Sequence, residues 1–352
     1  MRPTPVSTST VPAAAGTGAG RQLRRSLAAL ALLTVLAVVA ALCSIAFGSR
    51  IVGFEEIVGG LTGSRSDIGA LVVAERVPRT VVALVAGAAL GVSGALMQAV
   101  TRNPIADPGI LGVNTGASLA ILIGVAFLGI SGASQFLWFA LIGAAVTAVL
   151  VYTIGSLGPG GPTPVKLALA GVATSAALSC VISAVMLPLA QGLDDYRFWQ
   201  MGSLGRGTWS SLTTIAPFLA VATLLAVLVA GPLNSLALGE EMAIGLGVNV
   251  TRTRLAAAGA GVLLCSAVTA VVGPIGFVGL MVPHTVRMLC GPDHRWLLPL
   301  SALCGADLLT LSDVLGRIVS RPSAALPVAV VTAFVGAPIL IIIARGAKVR
   351  EL

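Results

Sequence analysis

The sequence predicts an all-α polytopic membrane protein with about ten transmembrane helices. Of its 352 residues, 57% are hydrophobic and only 10% are charged, whereas a soluble domain is about one quarter charged. Apolar runs of spanning length follow one another along nearly the whole chain. A third observation is that polar and helix-breaking residues gather in a few short segments. At membrane depth such residues are costly, so these segments are candidates for function.

The chain divides into a tail and one membrane domain. Residues 1–22 are rich in Pro, Ala, Thr, Ser and Gly, a composition that predicts a disordered tail. The membrane domain is expected over 23–352, and its first span has no convincing cleavage site. The predicted spans are 27–47, 80–99, 111–129, 136–155, 166–188, 212–231, 254–272, 275–290, 296–314 and 327–344.

The net charge of +8 comes from basic residues dispersed between the apolar runs. Such dispersion argues against nucleic-acid binding and favours the bias of positive charge toward cytoplasmic loops. With ten spans, the bias places both termini in the cytoplasm. The two histidines and five cysteines show no metal-ligand spacing, so we expect no metal or cofactor bound by this chain.

Two arginines with a proline between them, Arg76-Val-Pro-Arg79, precede the second span. Guanidinium groups at the mouth of a bundle could bind acidic groups of a partner protein as bidentate forks. They could equally extend to lipid headgroups. The spacing alone does not decide between these roles.

A second segment, 102–112, breaks the chain between two apolar helices. Irregular backbone there must line a cavity or be covered by protein, unless the segment is a plain cytoplasmic loop. Its candidate structural or gating residues are Arg102, Asn103, Pro104, Pro108 and Gly112.

The longest polar loop, about 233–254, contains an acidic pair and two arginines. Helical spacing places Met242, Leu246 and Asn249 or Val250 near one face. A short amphipathic helix is suited either to docking a soluble partner or to lying on the lipid surface. The candidate docking residues are Leu238, Gly239, Glu240, Glu241, Ala243, Gly245 and Gly247.

The segment 273–295 places Pro283, His284 and Arg287 in an apolar run. Proline kinks a helix interior, and a lone histidine is more often structural than a proton relay. Asp307 and Asp313 in the ninth span could couple transport to protons or join helices. The chain lacks the G-x-x-x-x-G-K-[ST] phosphate loop, so any ATPase must be another polypeptide.

These segments contain an ordered set of motifs that runs from about Arg24 to the end of the chain. The motifs are Arg76-x-Pro78-Arg79, Gly94-x-x-x-Gln98, Arg102-Asn103-Pro104, Asp107-Pro108-Gly109-x-Leu111-Gly112, Asn234-x-Leu236-x-Leu238-Gly239-Glu240-Glu241, Gly276-Phe277-Val278-Gly279-Leu280-x-x-Pro283-His284-x-x-Arg287, Gly305-Ala306, Asp313-x-x-x-Arg317 and Leu326-Pro327. In this set the chain resembles the FecCD-type permease subunits of bacterial ABC importers for ferric siderophores, haem and cobalamin. It departs from them at Ala325 and Ala329, where the family usually has Glu and Gly.

The resemblance implies a type II ABC importer permease architecture, with two permeases, identical or paralogous, around a central path in the cytoplasmic membrane. It also implies two cytoplasmic ATPase subunits, which bind ATP and Mg and dock on the 233–254 loop. A substrate-binding protein is expected outside, where its acidic residues meet Arg76, Arg79 and Arg317. Ser156, Gly158, Pro159 and Gly160 are inner-gate candidates, although their loop could be only a tight turn.

Three functions follow in order of preference. The first is a non-catalytic permease subunit for a ferric siderophore, with haem or cobalamin as alternative cargo. The second is an ion-coupled secondary transporter using Asp307, Asp313 and His284. The third is an intramembrane enzyme, for which no nucleophile and base can be assembled from the sequence.

Overall fold

The computed structural model describes residues 16–48, 50–64, 67–104, 106–157, 163–189, 193–320 and 325–346. Within these ranges the chain is helical apart from turns and two short 3-10 helices, Pro108–Leu111 and Leu204–Arg206. The α-helices are α1 (Gly16–Ala46), α2 (Phe54–Thr62), α3 (Ile68–Thr101), α4 (Val113–Leu128), α5 (Ala133–Ser156), α6 (Pro164–Met186), α7 (Asp194–Gln200), α8 (Trp209–Ala237), α9 (Glu240–Gly245), α10 (Val250–Val272), α11 (Val278–Cys290), α12 (His294–Val319) and α13 (Val328–Gly346).

Ten of these helices correspond to the ten predicted spans. Seven are long and apolar enough to cross a membrane, namely α1, α3, α5, α6, α8, α10 and α12. Three shorter apolar helices, α4, α11 and α13, complete the set. The predicted all-α membrane fold is therefore confirmed. Helix α1 starts at Gly16, so the last part of the predicted tail is helical, and residues 1–15 lie outside the described ranges.

Helix boundaries follow ordinary capping chemistry. The side chains of Asp67, Thr163 and Thr208 each accept a hydrogen bond from a backbone N–H in the first turn of the helix that follows. Gly129 ends α4 in the left-handed conformation, with φ of 66°. These signals lie at the ends of apolar runs, which is why the sequence locates the spans well.

Helix α3 is the centre of the bundle. It packs against α12, α10, α11 and α1, and 72% of the residues in its most apolar 18-residue stretch are buried. Its small residues allow backbones to approach closely, because Gly87 faces the backbone of Gly305 and Gly91 faces that of Ser301. By contrast, α1, α6 and α8 expose most of their apolar side chains. Those exposed faces suit lipid or a neighbouring subunit.

Candidate docking and translocation sites

Arg76 lies near the start of α3 and turns its guanidinium group toward the end of α1. Nη1 donates to the carbonyl oxygens of Ile45 at 2.9 Å and Ala46 at 3.3 Å, and Nη2 donates to that of Arg50 at 2.8 Å. The last carbonyls of a helix lack intrahelical partners and carry partial negative charge. With only 6% of its surface exposed, Arg76 fastens α3 to the end of α1.

Arg79 and Arg317 converge on one buried carboxylate, that of Asp313. Arg79 binds it in bidentate fashion, with Nη2 at 2.6 Å from Oδ1 and Nε at 3.1 Å from Oδ2. The Nε of Arg317 lies 3.0 Å from Oδ2, and its Nη groups donate to the carbonyl and hydroxyl oxygens of Ser44 in α1. These contacts join α1, α3 and α12. We call Arg76, Arg79, Asp313 and Arg317 the arginine end.

The sequence assigns three arginines of this end to binding-protein docking, and their exposure differs. Arg76 and Arg317 are each 6% exposed, whereas 19% of the Arg79 side chain is exposed. Arg79 is therefore the most accessible of the three to a partner protein. The docking role itself stays a prediction.

The first break, 102–112, is an ordered turn. Arg102 closes α3 in the left-handed conformation with φ of 50°, and its Nη2 donates to the carbonyl oxygen of Leu236 in α8 at 3.0 Å. The Asp107 carboxylate accepts the Gly109 N–H at 2.8 Å. Gly112 ends the 3-10 helix with φ of 73°. Of the other candidates here, Asn103 is half-buried, Pro104 is exposed, and Pro108 is buried at the start of the 3-10 helix.

The second break lies between α10 and α11. Phe277 adopts φ of 70° immediately before α11, and such a conformation in a bulky side chain is rare and strained. Pro283 has no N–H, so the Gly279 carbonyl loses its helical partner. The amide of Gln98 in α3 lies beside this gap, and its Nε2 donates to the Leu280 carbonyl at 3.1 Å. Its Oε1 accepts from Nη2 of Arg287 at 3.1 Å.

The two breaks meet beside α3, where a cavity of about 330 Å³ opens. The Cα of Gly279 also lies close to Asp107, since a methyl group built on that glycine would be 2.6 Å from Oδ2. The interpretation of 102–112 as a cavity-lining segment is thus favoured over a plain loop. The cavity is lined by Asp107, Gly109, Val172, Ser175, Phe277 and Leu280.

His284 is half-buried on α11 and shares that helix with the buried Pro283. The inner-gate candidate Ser156 ends α5, and its hydroxyl donates to the Tyr152 carbonyl at 2.6 Å. The other gate candidates, Gly158, Pro159 and Gly160, lie outside the described residues. The gate assignment therefore remains a prediction.

The 233–254 loop contains a short helix, α9, as the sequence predicts. Gly239 precedes it with φ of 116°, and Gly247 follows with φ of 79°. The predicted helical face that continues to Asn249 is wrong, because Gly247 turns the chain and Asn249 caps α10 instead. The α9 segment exposes a row of large apolar side chains, more than half of each being accessible: Leu238, Met242, Ile244 and Leu246.

Charge and packing orient this segment. Arg254 forms an ion pair with Glu240, and its hydrogen bond and charge lower the pKa of Glu240. Ala243 is fully buried and anchors α9 to the bundle. Glu241 is exposed, as are Gly245 and Gly247. We call Leu238–Gly247 the docking segment.

The arginine end and the docking segment lie at opposite ends of the bundle. Helix α3 carries Arg79 near its start and ends at Arg102, which contacts α8 just before the docking segment. At a rise of about 1.5 Å per residue, Arg79 and Arg102 are about 35 Å apart. A bilayer's hydrocarbon core is about 30 Å thick. A single helix, α3, therefore connects the two candidate docking sites over a length sufficient to span a bilayer.

These features define a multi-pass helical membrane protein with an arginine-rich contact region at one end, an exposed apolar segment at the other and broken helices between. Residues 33–346 match the FecCD transport family, and the chain belongs to this family of transport permeases.

Relatives support the assignment over most of the chain. The ferric enterobactin permease FepD of Escherichia coli is 42% identical over 314 residues, which are 89% of this chain and 93% of FepD. The Fe(3+)-citrate permease YfmD of Bacillus subtilis is 44% identical over 273 residues, 78% of this chain and 80% of YfmD. The hemin permease HmuU of Yersinia pestis is 39% identical over 268 residues, 75% and 79% respectively.

A solved structure shares the fold. It is a metal-chelate type ABC transporter in an inward-facing conformation, with a TM-score of 0.77 and 29% identity. The match covers 91% of this chain and 99% of that one. The expected permease architecture is thereby confirmed.

For Asp313 the sequence leaves proton coupling and a helix–helix contact open, and the structure favours the contact. The carboxylate binds two arginines, one of them, Arg317, at the i, i+4 spacing. Sequence reasoning missed what Gln98 does: its Nε2 lies 3.5 Å from the Gly279 carbonyl, which Pro283 leaves without its helical partner. Two of the partners, Arg79 for Asp313 and Gly279 for Gln98, are distant in sequence, so no local pattern identifies these contacts.

Proposed function

We propose that this chain is the permease subunit of an ATP-driven importer that carries a ferric siderophore across the cytoplasmic membrane. The observation that carries the proposal is that α3 connects an arginine-rich end to an exposed apolar docking segment at the opposite end. A subunit that relays the state of a soluble ATPase to an external binding protein needs such a connection. The chain itself contributes no catalytic residues.

The docking segment suits a cytoplasmic ATPase. Its large apolar side chains are exposed, and an exposed apolar patch rimmed by charged residues typically marks a binding site for a partner. Two ATPase subunits would bind ATP and Mg²⁺ and dock on two permeases, identical or paralogous. Closure of the ATPase pair would move the docking segment and, through Arg102 and α8, the bundle. Both termini would then lie in the cytoplasm.

The opposite, arginine end would face the substrate-binding protein. The arginine end contains three guanidinium groups and one carboxylate, which binds two of them, while Arg76 binds backbone carbonyls. This excess of positive charge favours acidic groups on the partner. Between the two ends, the cavity at the meeting of the breaks would form part of the path. Ser156, Gly158, Pro159 and Gly160 remain inner-gate candidates.

The cargo is proposed from the relatives. Two of the three described above are named for ferric chelates and one for hemin, which makes a ferric siderophore the leading cargo and haem or cobalamin the alternatives. Ion-coupled transport is disfavoured because one of its required acids, Asp313, is bound by two arginines. Both oxygens of that carboxylate are occupied by guanidinium groups, so Asp313 serves as part of a helix-joining ion pair.

The test is uptake in iron-limited cells with and without this chain. We expect loss of the chain to abolish import of ⁵⁵Fe–siderophore and leave cobalamin uptake intact. Loss of cobalamin uptake alone would overturn the cargo and keep the family mechanism. Haem uptake, measured in the same cells, separates the remaining alternative.

A further inference from the structure

Of the three arginines in the arginine end, Arg79 has the most exposed side chain, and its contacts occupy only part of its guanidinium group. Arg76 is occupied by three backbone carbonyls. Arg317 is occupied by Asp313 and by both oxygens of Ser44. Both are 6% exposed. These two arginines therefore hold helices together, whereas Arg79 is 19% exposed at its side chain.

Asp313 binds Arg79 along a single edge of its guanidinium group. That edge comprises Nε and Nη2, which lie 3.1 Å and 2.6 Å from the two carboxylate oxygens. A guanidinium group has five N–H donors in a rigid fork. The two donors on Nη1 remain, and no acceptor within hydrogen-bonding distance of Nη1 occurs among the described residues.

The carboxylate that holds Arg79 is itself immobile. Asp313 is 1% exposed, and a second guanidinium group, that of Arg317, fixes its Oδ2 at 3.0 Å. Arg317 is in turn fixed to Ser44, whose hydroxyl is 2.7 Å from that of Thr80. A chain of contacts from α1 and α12 thus determines where the free edge of Arg79 points.

We propose that Asp313 is a positioning residue for docking of the binding protein, holding Arg79 so that its Nη1 edge meets a partner carboxylate. This inference rests on the proposed function, because it assumes that an acidic binding protein docks at this end. A donor fixed before binding loses little rotamer freedom on association, so affinity gains from pre-organisation. Arg76 and Arg317 then contribute to docking only through the positions of the helices.

Removing the charge of Asp313 separates a positioning role from a purely electrostatic role, because the two roles predict opposite changes in affinity for the binding protein. Asp313→Asn removes one negative charge and makes the end more attractive to an acidic partner at long range. If Asp313 acted only through its charge, the variant would bind the binding protein more tightly. If it positions Arg79, the variant binds more weakly, by about tenfold, since one charge-assisted contact is no longer formed in the required geometry.

The experiment uses the full complex of permease and ATPase subunits in lipid nanodiscs, with the binding protein that supports uptake in the transport assay above. The affinity of the binding protein for the complex is measured with wild type, Arg79→Ala, Asp313→Asn and the double variant. We expect both single variants to weaken binding and Asp313→Asn to add little in the Arg79→Ala background. Ser183→Ala is the control, because its exposed hydroxyl is bonded within its own helix and contacts no residue of the arginine end, and its affinity should stay near wild type.

The outcomes separate the two proposals. Unchanged affinity in Arg79→Ala would overturn docking at the arginine end altogether. Weaker binding in Arg79→Ala, but equal or tighter binding in Asp313→Asn, would overturn only the positioning role. Should Asp313→Asn fail to assemble, Asp313→Glu keeps the charge and displaces the carboxylate by one methylene group. Weaker binding in that variant supports positioning, and wild-type affinity contradicts it.

Discussion

The contact between Gly87 of α3 and Gly305 of α12 should not tolerate even a methyl group. A Cβ atom built on Gly87 would lie 2.7 Å from the carbonyl carbon of Gly305 and 2.9 Å from the Cα of Ala306. Carbon atoms pack favourably at about 3.5–4.0 Å. Because the opposing atoms belong to backbone, no side-chain rotation can relieve the clash, and Gly87→Ala must move one helix away from the other.

The magnitude follows from comparison with a matched glycine. Gly259 lies on an exposed face of α10, and a Cβ there meets nothing within 4 Å. Alanine gains about 1 kcal/mol over glycine in a helix interior at both positions. The gain cancels in the comparison, so Gly87→Ala should be less stable than Gly259→Ala by the cost of overpacking, about 1–3 kcal/mol.

The assay is the free energy of unfolding in mixed micelles titrated with SDS. Transport should fall with stability in Gly87→Ala, because α3 and α12 would no longer move as one body. Equal stability of the two alanine variants would refute the claim that these helices touch through glycine backbones.

Three further predictions concern the docking segment and the second break. Glu241→Lys should insert normally but lose coupling to the ATPase; normal uptake would contradict the ATPase-docking assignment. Gln98→Leu should cost about 1–3 kcal/mol by leaving buried partners unsatisfied, whereas Ser183→Ala, which removes an exposed hydroxyl bonded within its own helix, should be near neutral in the same titration. Arg254 lowers the pKa of Glu240, so the stabilisation of α9 should be present above pH 4.5 and disappear as pH falls through the lowered value. Hydrogen exchange of the α9 amides measures this change, and an identical pH response in Glu240→Gln would refute it.

The fold could be predicted from the sequence because its elements are encoded locally. Spans such as α5 and α10 are apolar runs of bilayer length, and Thr163 and Thr208 mark helix starts by ordinary capping. The short helix α9 was also predicted, since Gly239 and Gly247 limit it. Each of these signals lies within a few residues of the element that it determines.

The contacts of the candidate sites could not be predicted in the same way. Arg79 and Asp313 are joined across two helices, and Gln98 reaches the Gly279 carbonyl, which a proline far along the chain leaves unpaired. Helices α2 and α7 were also missed, because short helices that do not span the bilayer leave no long apolar run. Which side chains meet depends on how the helices pack, and packing is determined by many weak contacts together.

The most direct test of the whole account is import into proteoliposomes that contain this chain and its ATPase. With the binding protein and a ⁵⁵Fe–siderophore outside, uptake should require ATP and Mg²⁺ on the ATPase side and should be unaffected by a protonophore. Uptake that proceeds without the ATPase and stops on adding the protonophore would show ion-coupled transport and contradict the proposed mechanism.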